Sequence, residues 1–427
     1  MSKFITTLII LTMLITLAGC GFGTIEDMLS PPRLTDEQQA IYTALVDSRG
    51  TGFRLKYPRT GEHRSAFVVY GQEENNADSA LVFYEISGTN LERSLRMNFL
   101  FKKDDGNWDS LLELPITGID IESVSFITFG ENEETFIFLS YAVSHNEKAF
   151  MLISGIYTRP FIQHGGIYSF MHVDYFFGTE WMELLLIKND LISAEATFYN
   201  FKDGVLTIVG SSAIDPGAGE YIGVTQGEIE YGIPALFINH RKNDNSENFG
   251  TDVLYRRRGR LRNPITDSDN AELALRRTGT LTELANPRDI DGDGFIEIPS
   301  STGEFPGYAH LAPAETLRPV LWHTLSDISE RTYSYYTYYS EYFNYVFFFP
   351  SRWIGSVTVT VDFDNNTVSF FIAVPDINDA DEVLLSIAAV PGDDESLSYV
   401  METPNPDNPL SLTAEELEKA FKVLSEI

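Results

Sequence analysis

Across 427 residues the sequence holds a single cysteine, Cys20. No disulfide can form within the chain, so its stability owes nothing to cross-links. Basic residues are also scarce: 30 Lys and Arg stand against 62 Asp and Glu, a formal net charge of -32. So acidic a surface repels nucleic acid and anionic membranes and concentrates cations. The apolar run from Phe4 to Leu17, interrupted only by threonines, falls short of the ~20 residues a membrane helix needs. The seven histidines are scattered, none at metal-ligand spacing to another. His-Glu-x-x-His, Gly-x-Ser-x-Gly and the P-loop are all missing, which removes three common catalytic signatures. With so many acids, no single carboxylate pair is informative about glycoside chemistry.

What is present begins at the N-terminus. Lys3, the apolar run and then Leu17-Ala18-Gly19-Cys20 have the order of a signal peptide with small residues before the cut. The last four residues resemble the bacterial lipobox. That resemblance implies a signal peptide over residues 1–19 and a diacylglycerol thioether on Cys20, which becomes the mature N-terminus. An uncleaved signal anchor is the other reading. Both put the remaining chain outside the cytoplasmic membrane, lipid-anchored in the first case. Residues 20–34 read as a tether stiffened by Pro31-Pro32. Thr35 followed by Gln38 is a capping box for a helix over 35–50, with Ala40, Ile41, Ala44 and Leu45 on one face and Gly50 as its stop.

Length gives a prior of two domains. Hydrophobic content of 43% supports sizeable cores, and 30 Phe with 21 Tyr favour strands. From about Ser65 one pattern recurs every ~50–60 residues: an apolar strand, a Gly or Asp turn, then a very apolar strand. It appears at Phe67–Tyr70 with Ala80–Tyr84, and at Phe126–Phe129 with Phe136–Leu139. It returns at a Gly178 turn before Leu184–Ile187, and at a turn near Gly227 before Ala235–Ile238. Second hairpins follow, turning at Asp105-Gly106, Asp203-Gly204 and Gly259. Repeated four-stranded units are the pattern of a β-propeller, expected here over 60–312.

The fifth copy is Asp289-Ile290-Asp291-Gly292-Asp293-Gly294-Phe295-Ile296-Glu297. Calcium takes about six to eight oxygen ligands, and carboxylates at alternate positions of a tight loop wrap one ion. Asp289, Asp291 and Asp293 occupy positions 1, 3 and 5. Gly294 gives the bend, Phe295 a backbone carbonyl, and Glu297 an acid at position 9. Ser300 stands where an EF-hand has a bidentate Glu, so the loop is not an EF-hand. A metal-free Asp/Gly turn is the alternative. The loop resembles the calcium loop of FG-GAP and VCBS repeats, the blades of integrin-α-like propellers. The resemblance implies a propeller blade and a calcium ligand set of Asp289, Asp291, Asp293, Phe295 and Glu297. The first copy keeps only Glu73 and Asn75, and the copies at Gly130, Gly178 and Gly227 keep almost nothing, so one blade would hold metal.

Residues 313–427 read as a small α+β domain. A tyrosine-rich stretch, Tyr333 to Tyr345, leads into Val346–Pro350 and Trp353. A hairpin of Val357–Val361 and Val368–Val374 turns at Asn365-Asn366, and a strand follows at Val383–Ile387. A closing helix is capped at Ser411 or Thr413, with Leu417, Ala420, Phe421, Leu424 and Ile427 on one face. The aromatic run packs between sheets or offers a platform to sugar rings. Arg256, Arg257, Arg258 and Arg260, with Arg262, either grip an anionic polymer or phosphate or form a solvated hairpin. The sequence therefore points to a mainly β, cell-surface binding or scaffold lipoprotein. Its partner is an extracellular protein or glycan, and it has no nucleic-acid role. A polysaccharide-acting hydrolase or lyase is the alternative.

Overall fold

The computed structural model describes residues 34–71, 78–87, 93–229, 232–243, 248–264, 286–301, 303–312, 315–325, 331–391 and 397–426. Cys20, the signal segment, the tether up to Arg33, Glu73, Asn75 and Ile427 lie outside the described residues. The chain divides into two compact units, Met1–Asp120 and Ile121–Ile427.

The first unit opens with helix α1, Asp36–Arg49, capped as its sequence dictates. Thr35 accepts from the Gln38 N–H, and the Gln38 side chain accepts from the Thr35 N–H. Ile41 and Leu45 are fully buried in the core of one antiparallel sheet. That sheet comprises Phe53–Leu55, Phe67–Tyr70, Ser79–Ser87, Arg93–Lys102 and Trp108–Ile116. Tyr84, Leu100 and Trp108 meet the helix there.

The second unit is built from antiparallel sheets in succession, and the molecule is mainly β. The first of these holds Asp120–Phe129, Glu134–Ala142, Lys148–Ser154 and Phe161–Tyr168; the next holds Phe170–Asp174, Glu183–Asn189, Ala194–Lys202 and Val205–Ala213. Ala218–Ile229, Ile233–Lys242, Phe249–Arg257 and Arg260–Arg262 follow. A fifth sheet has Ile298–Ser300, Val320–Leu325, Arg331–Ser340, Tyr345–Phe348 and Phe421–Val423. The sixth has Val357–Asp362, Thr367–Ile372, Val383–Pro391 and Leu397–Glu402. Within this unit each sheet buries an apolar face on the next. Phe136 and Phe138 pack with Leu184 and Phe201, and Leu185 and Phe198 with Leu236 and Leu254. Phe237 and Val253 then pack with Ile298, and Phe347 with Phe370.

The turn chemistry is where the sequence put it. Asp203 and Gly204 have φ of 52° and 80°, and Arg258 and Gly259 of 52° and 73°. Two successive positive φ values match the right-handed twist of the strands they join. Gly130, at φ 91°, has no room for a side chain: a Cβ would lie 2.4 Å from the Phe201 carbonyl oxygen of the next sheet.

Three expectations need correction. Gly227 is not a turn; it lies inside Ala218–Ile229, and the chain reverses only before Ile233. The expected division at 312/313 falls inside the fifth sheet, whose Ile298–Ser300 pairs with Val320–Leu325. The closing helix is short: α2 spans Ala414–Ala420 with Thr413, not Ser411, as its cap. Beyond it Phe421–Val423 extends and pairs with Tyr345–Phe347. Pairing there closes the open edge at Tyr345–Phe347, and Phe421 packs on the Tyr345 and Tyr399 rings at 5.0 and 4.9 Å.

Candidate metal centre

The Asp289 loop is pinned at its base by an isolated antiparallel bridge, Arg288 to Glu297. Ile290 turns inward and is fully buried with Val320, Trp322, Val346 and Leu424. This anchoring sends the neighbouring acids to the other side of the turn. Asp289 Oδ1 accepts from the N–H groups of Gly292 and Asp293 at 2.7 and 3.0 Å, and Oδ2 from Gly294 at 2.9 Å. Asp291 Oδ1 accepts from Asp293 N–H, and Asp293 Oδ1 from Phe295 N–H, at 3.0 and 2.8 Å. Gly292 and Gly294 sit at φ 84° and 93°, which only glycine adopts freely.

Asp289, Asp291 and Glu297 each bring one carboxylate oxygen within 4.8 Å of the others. Asp293 is not of this trio; it is exposed, and its Oδ1 accepts from the Phe295 N–H. Phe295 donates its N–H to Asp293 Oδ1. Glu297 is wholly buried, with Oε2 receiving the Ile290 N–H at 3.0 Å and Oε1 facing the Thr324 hydroxyl at 3.4 Å. Burial pushes its carboxyl up to about 8; the Ile290 hydrogen bond opposes this, and the charges of Asp291, Asp293 and Asp289 add to it. A divalent cation would reverse that balance, because it stabilises every ionised carboxylate around it. Three clustered oxygens suit a hard cation, with carbonyls and water completing the shell.

Residues far away in sequence frame the loop. Tyr335 donates its hydroxyl to Asp291 Oδ2, and burial, followed by that bond, raises its own pKa. Lys422 donates its Nζ to the Asp291 carbonyl oxygen. Ile296 donates its N–H to the Glu228 carbonyl at 2.9 Å, lashing the loop to the fourth sheet's first strand. Its side chain fills the space above Gly227, where a Cβ would come 2.3 Å from Ile296 Cγ1. Gly227 is thus part of the site although it is no turn. No local signal in the sequence marks any of these partners; Tyr335 is hidden among other tyrosines.

The arginine run separates into two faces. Arg256 turns inward, pairing with the buried carboxylate of Glu183 at 2.7 Å and lying over the Phe177 ring at 4.8 Å. It does not belong to an anion site. Arg257 and Arg260 sit opposite each other across the hairpin, with Arg258 at the turn, and all three are exposed. The tyrosine-rich stretch is divided: Tyr338 and Tyr345 are buried with Phe347, Trp353 and Phe370, while Tyr342 is exposed.

No family model matches the chain, and no curated protein matches it. Among solved structures, one similar protein is from Bacteroides fragilis and is provisionally assigned as a 6-phosphogluconolactonase. It is 12% identical, with 77% of this chain and 85% of that chain covered and a TM-score of 0.25. Another is a protein from Lactobacillus plantarum, at 11% identity, 78% and 94% coverage and a TM-score of 0.26. A hypothetical selenium-binding protein from Sulfolobus tokodaii is 9% identical over 78% and 77%, with a TM-score of 0.24. At such scores the likeness carries no argument about architecture or activity, and the functional reading rests on this chain's own residues.

Proposed function

We propose that the protein is an extracytoplasmic, lipid-anchored binding or scaffold module with a β-propeller-like body and one calcium-stabilised loop. The observation that carries the reading is the convergence of Asp289, Asp291 and Glu297 on a turn that joins the fourth and fifth sheets. Successive four-stranded sheets packed face on face support the blade reading. The lipobox-like Leu17-Ala18-Gly19-Cys20 supports the anchor. In this reading calcium locks the turn, and the loops beyond it meet an extracellular protein or glycan. The exposed hairpin of Arg257, Arg258 and Arg260 is the edge offered to anionic groups.

The test is thermal unfolding in calcium and in chelator. A cation bound only by the folded protein stabilises it by about 2.7 kcal/mol at a hundredfold excess over Kd. Millimolar calcium raises Tm, magnesium does so poorly, and Asp291→Ala loses the response. Identical melting of the wild type in calcium and in EDTA rejects the cation. For the anchor, Cys20→Ala releases the protein from the membrane fraction; full retention of that variant rejects lipidation.

A further inference from the structure

Beside the loop, between Asp291 and helix α2, lies a cleft of about 400 Å³. That is near the lower end of the ~300–1,000 Å³ typical of small-ligand sites. Its floor is apolar: Phe348, Phe349, Pro350, Leu412 and Ala420. The Tyr335 ring stands edge-on to Phe348, with centroids 5.1 Å apart, and forms one wall.

The polar groups at the rim are unequal. Glu416 is held by Arg352 through two hydrogen bonds of 2.6 and 2.9 Å, and it also caps α2. The Asp291 carboxylate is engaged by Tyr335 and by the Asp293 N–H. Lys419 pairs with Glu415 at 2.7 Å, both well exposed. Lys422 differs. Its half-buried ammonium donates to one backbone carbonyl and lies 5.6 Å from the Phe348 ring centre. No carboxylate among the described residues approaches it within 4.0 Å. An ammonium carries three donors, so two remain at the mouth of an apolar cleft. In a chain of net charge -32 a cation left in this position stands out.

We propose that this cleft binds a small organic carboxylate: an apolar ring or chain lying over Phe348 and Phe349, with its anionic end at Lys422 Nζ. Burying the apolar body supplies affinity, and the charge-assisted bond to Lys422 supplies orientation. A sugar fits the cleft less well. Its hydroxyls need polar partners, the floor has none, and the rim carboxylates are already engaged. The cleft adjoins the cation loop and shares Asp291 and Tyr335 with it, but a carboxylate held by Lys422 over Phe348 needs no bound cation.

The experiment is isothermal titration of the full chain with 4-phenylbutyrate, 4-phenylbutanol, acetate and glucuronate, in calcium and again in EDTA. 4-Phenylbutyrate binds at least about tenfold more tightly than the matched alcohol, the least that one charge-assisted hydrogen bond contributes. Acetate, which lacks the apolar body, gives no measurable heat. Lys422→Met keeps the stem over Phe348 and loses the preference for the acid, while Lys422→Arg retains it. Equal binding of acid and alcohol overturns the proposal, as does no binding of either. Glucuronate binding in place of 4-phenylbutyrate overturns it in favour of an acidic glycan. The comparison of probes on the wild type decides even if Lys422→Met does not fold. Preference for the acid in EDTA as well as calcium keeps this site standing should the cation reading fail.

Discussion

Replacing Gly227 by alanine adds one methyl group at the point where the fourth sheet meets the Asp289 loop. The backbone does not resist, because Gly227 lies in extended strand without positive φ. The obstacle is Ile296: the new Cβ would lie 2.3 Å from its Cγ1 and 2.8 Å from its Cδ1. Ile296 is β-branched and has few rotamers to escape into. Its N–H is tied to Glu228, and its side chain packs against the cluster containing Ile229, Phe237 and Ile298. Overpacking of this kind costs about 1–3 kcal/mol. A control is available in the same strand: a Cβ at Gly223 would meet nothing within 4 Å. There Gly→Ala is neutral or stabilising by a few tenths up to ~1 kcal/mol, because the unfolded chain loses freedom. Urea unfolding read at constant m-value gives both numbers. Gly227→Ala lowers the midpoint, Gly223→Ala does not, and Gly227→Ala with Ile296→Ala loses less than the sum of the single changes. Equal midpoints for the two glycine variants, or strict additivity in the double variant, refute the steric argument.

Other outcomes follow from the charged pairs. Arg256→Met strands the Glu183 carboxylate, which is nearly fully buried, and costs about 3 kcal/mol at neutral pH. Burial already raises the Glu183 pKa in the folded state, with Arg256 opposing it. A raised carboxyl binds its proton more tightly folded than unfolded, so the deficit of Arg256→Met shrinks as pH falls; a pH-independent deficit in denaturant melts contradicts this. Glu416 behaves oppositely: its hydrogen bonds from Arg352, then from the Thr413 N–H, lower it from 4.5 to about 2. Its contribution is present above the ordinary value and lost as pH falls through about 2. Side-chain carboxyl NMR shows Arg352→Gln returning Glu416 most of the way to its ordinary range, and an unmoved titration curve dismisses the pair. Gly204→Ala, at φ 80°, costs about 1 kcal/mol in thermal or urea unfolding, whereas Asp203→Gly is tolerated; equal effects reject the turn assignment.

Local chemistry carried the sequence reading a long way. Thr35 and Gln38 start a helix, and Asp203-Gly204 and Asn365-Asn366 close hairpins, because each needs only neighbours within four residues. The Asp289 loop is likewise a local pattern, and its Asp289, Asp291 and Glu297 do converge. What stayed hidden depends on distant partners. Arg256 looked like part of a basic run until Glu183, 73 residues earlier, was seen to neutralise it. Gly227 resembled a turn glycine because nothing nearby discloses Ile296 above it. Phe421, Leu424 and Ile427 continue the helical spacing of Leu417 and Ala420, so periodicity alone extends α2. The open edge at Tyr345–Phe347 decides otherwise.

The pairing of Phe421–Val423 with Tyr345–Phe347 means that the sixth sheet, residues 357–402, is inserted between two strands of the fifth. During synthesis the chain emerges N-terminus first. The strand at Tyr345 therefore waits with one edge bare while more than a whole sheet is made. Such an edge is a template for pairing with another chain. The same strand delivers Lys422 to Asp291, so the neighbourhood of the loop is completed only after the sixth sheet has been made. A nascent chain stalled before Phe421 would carry every acid of the turn, yet lack Lys422 on the Asp291 carbonyl and the strand that closes the Tyr345 edge, and would be open to mispairing there.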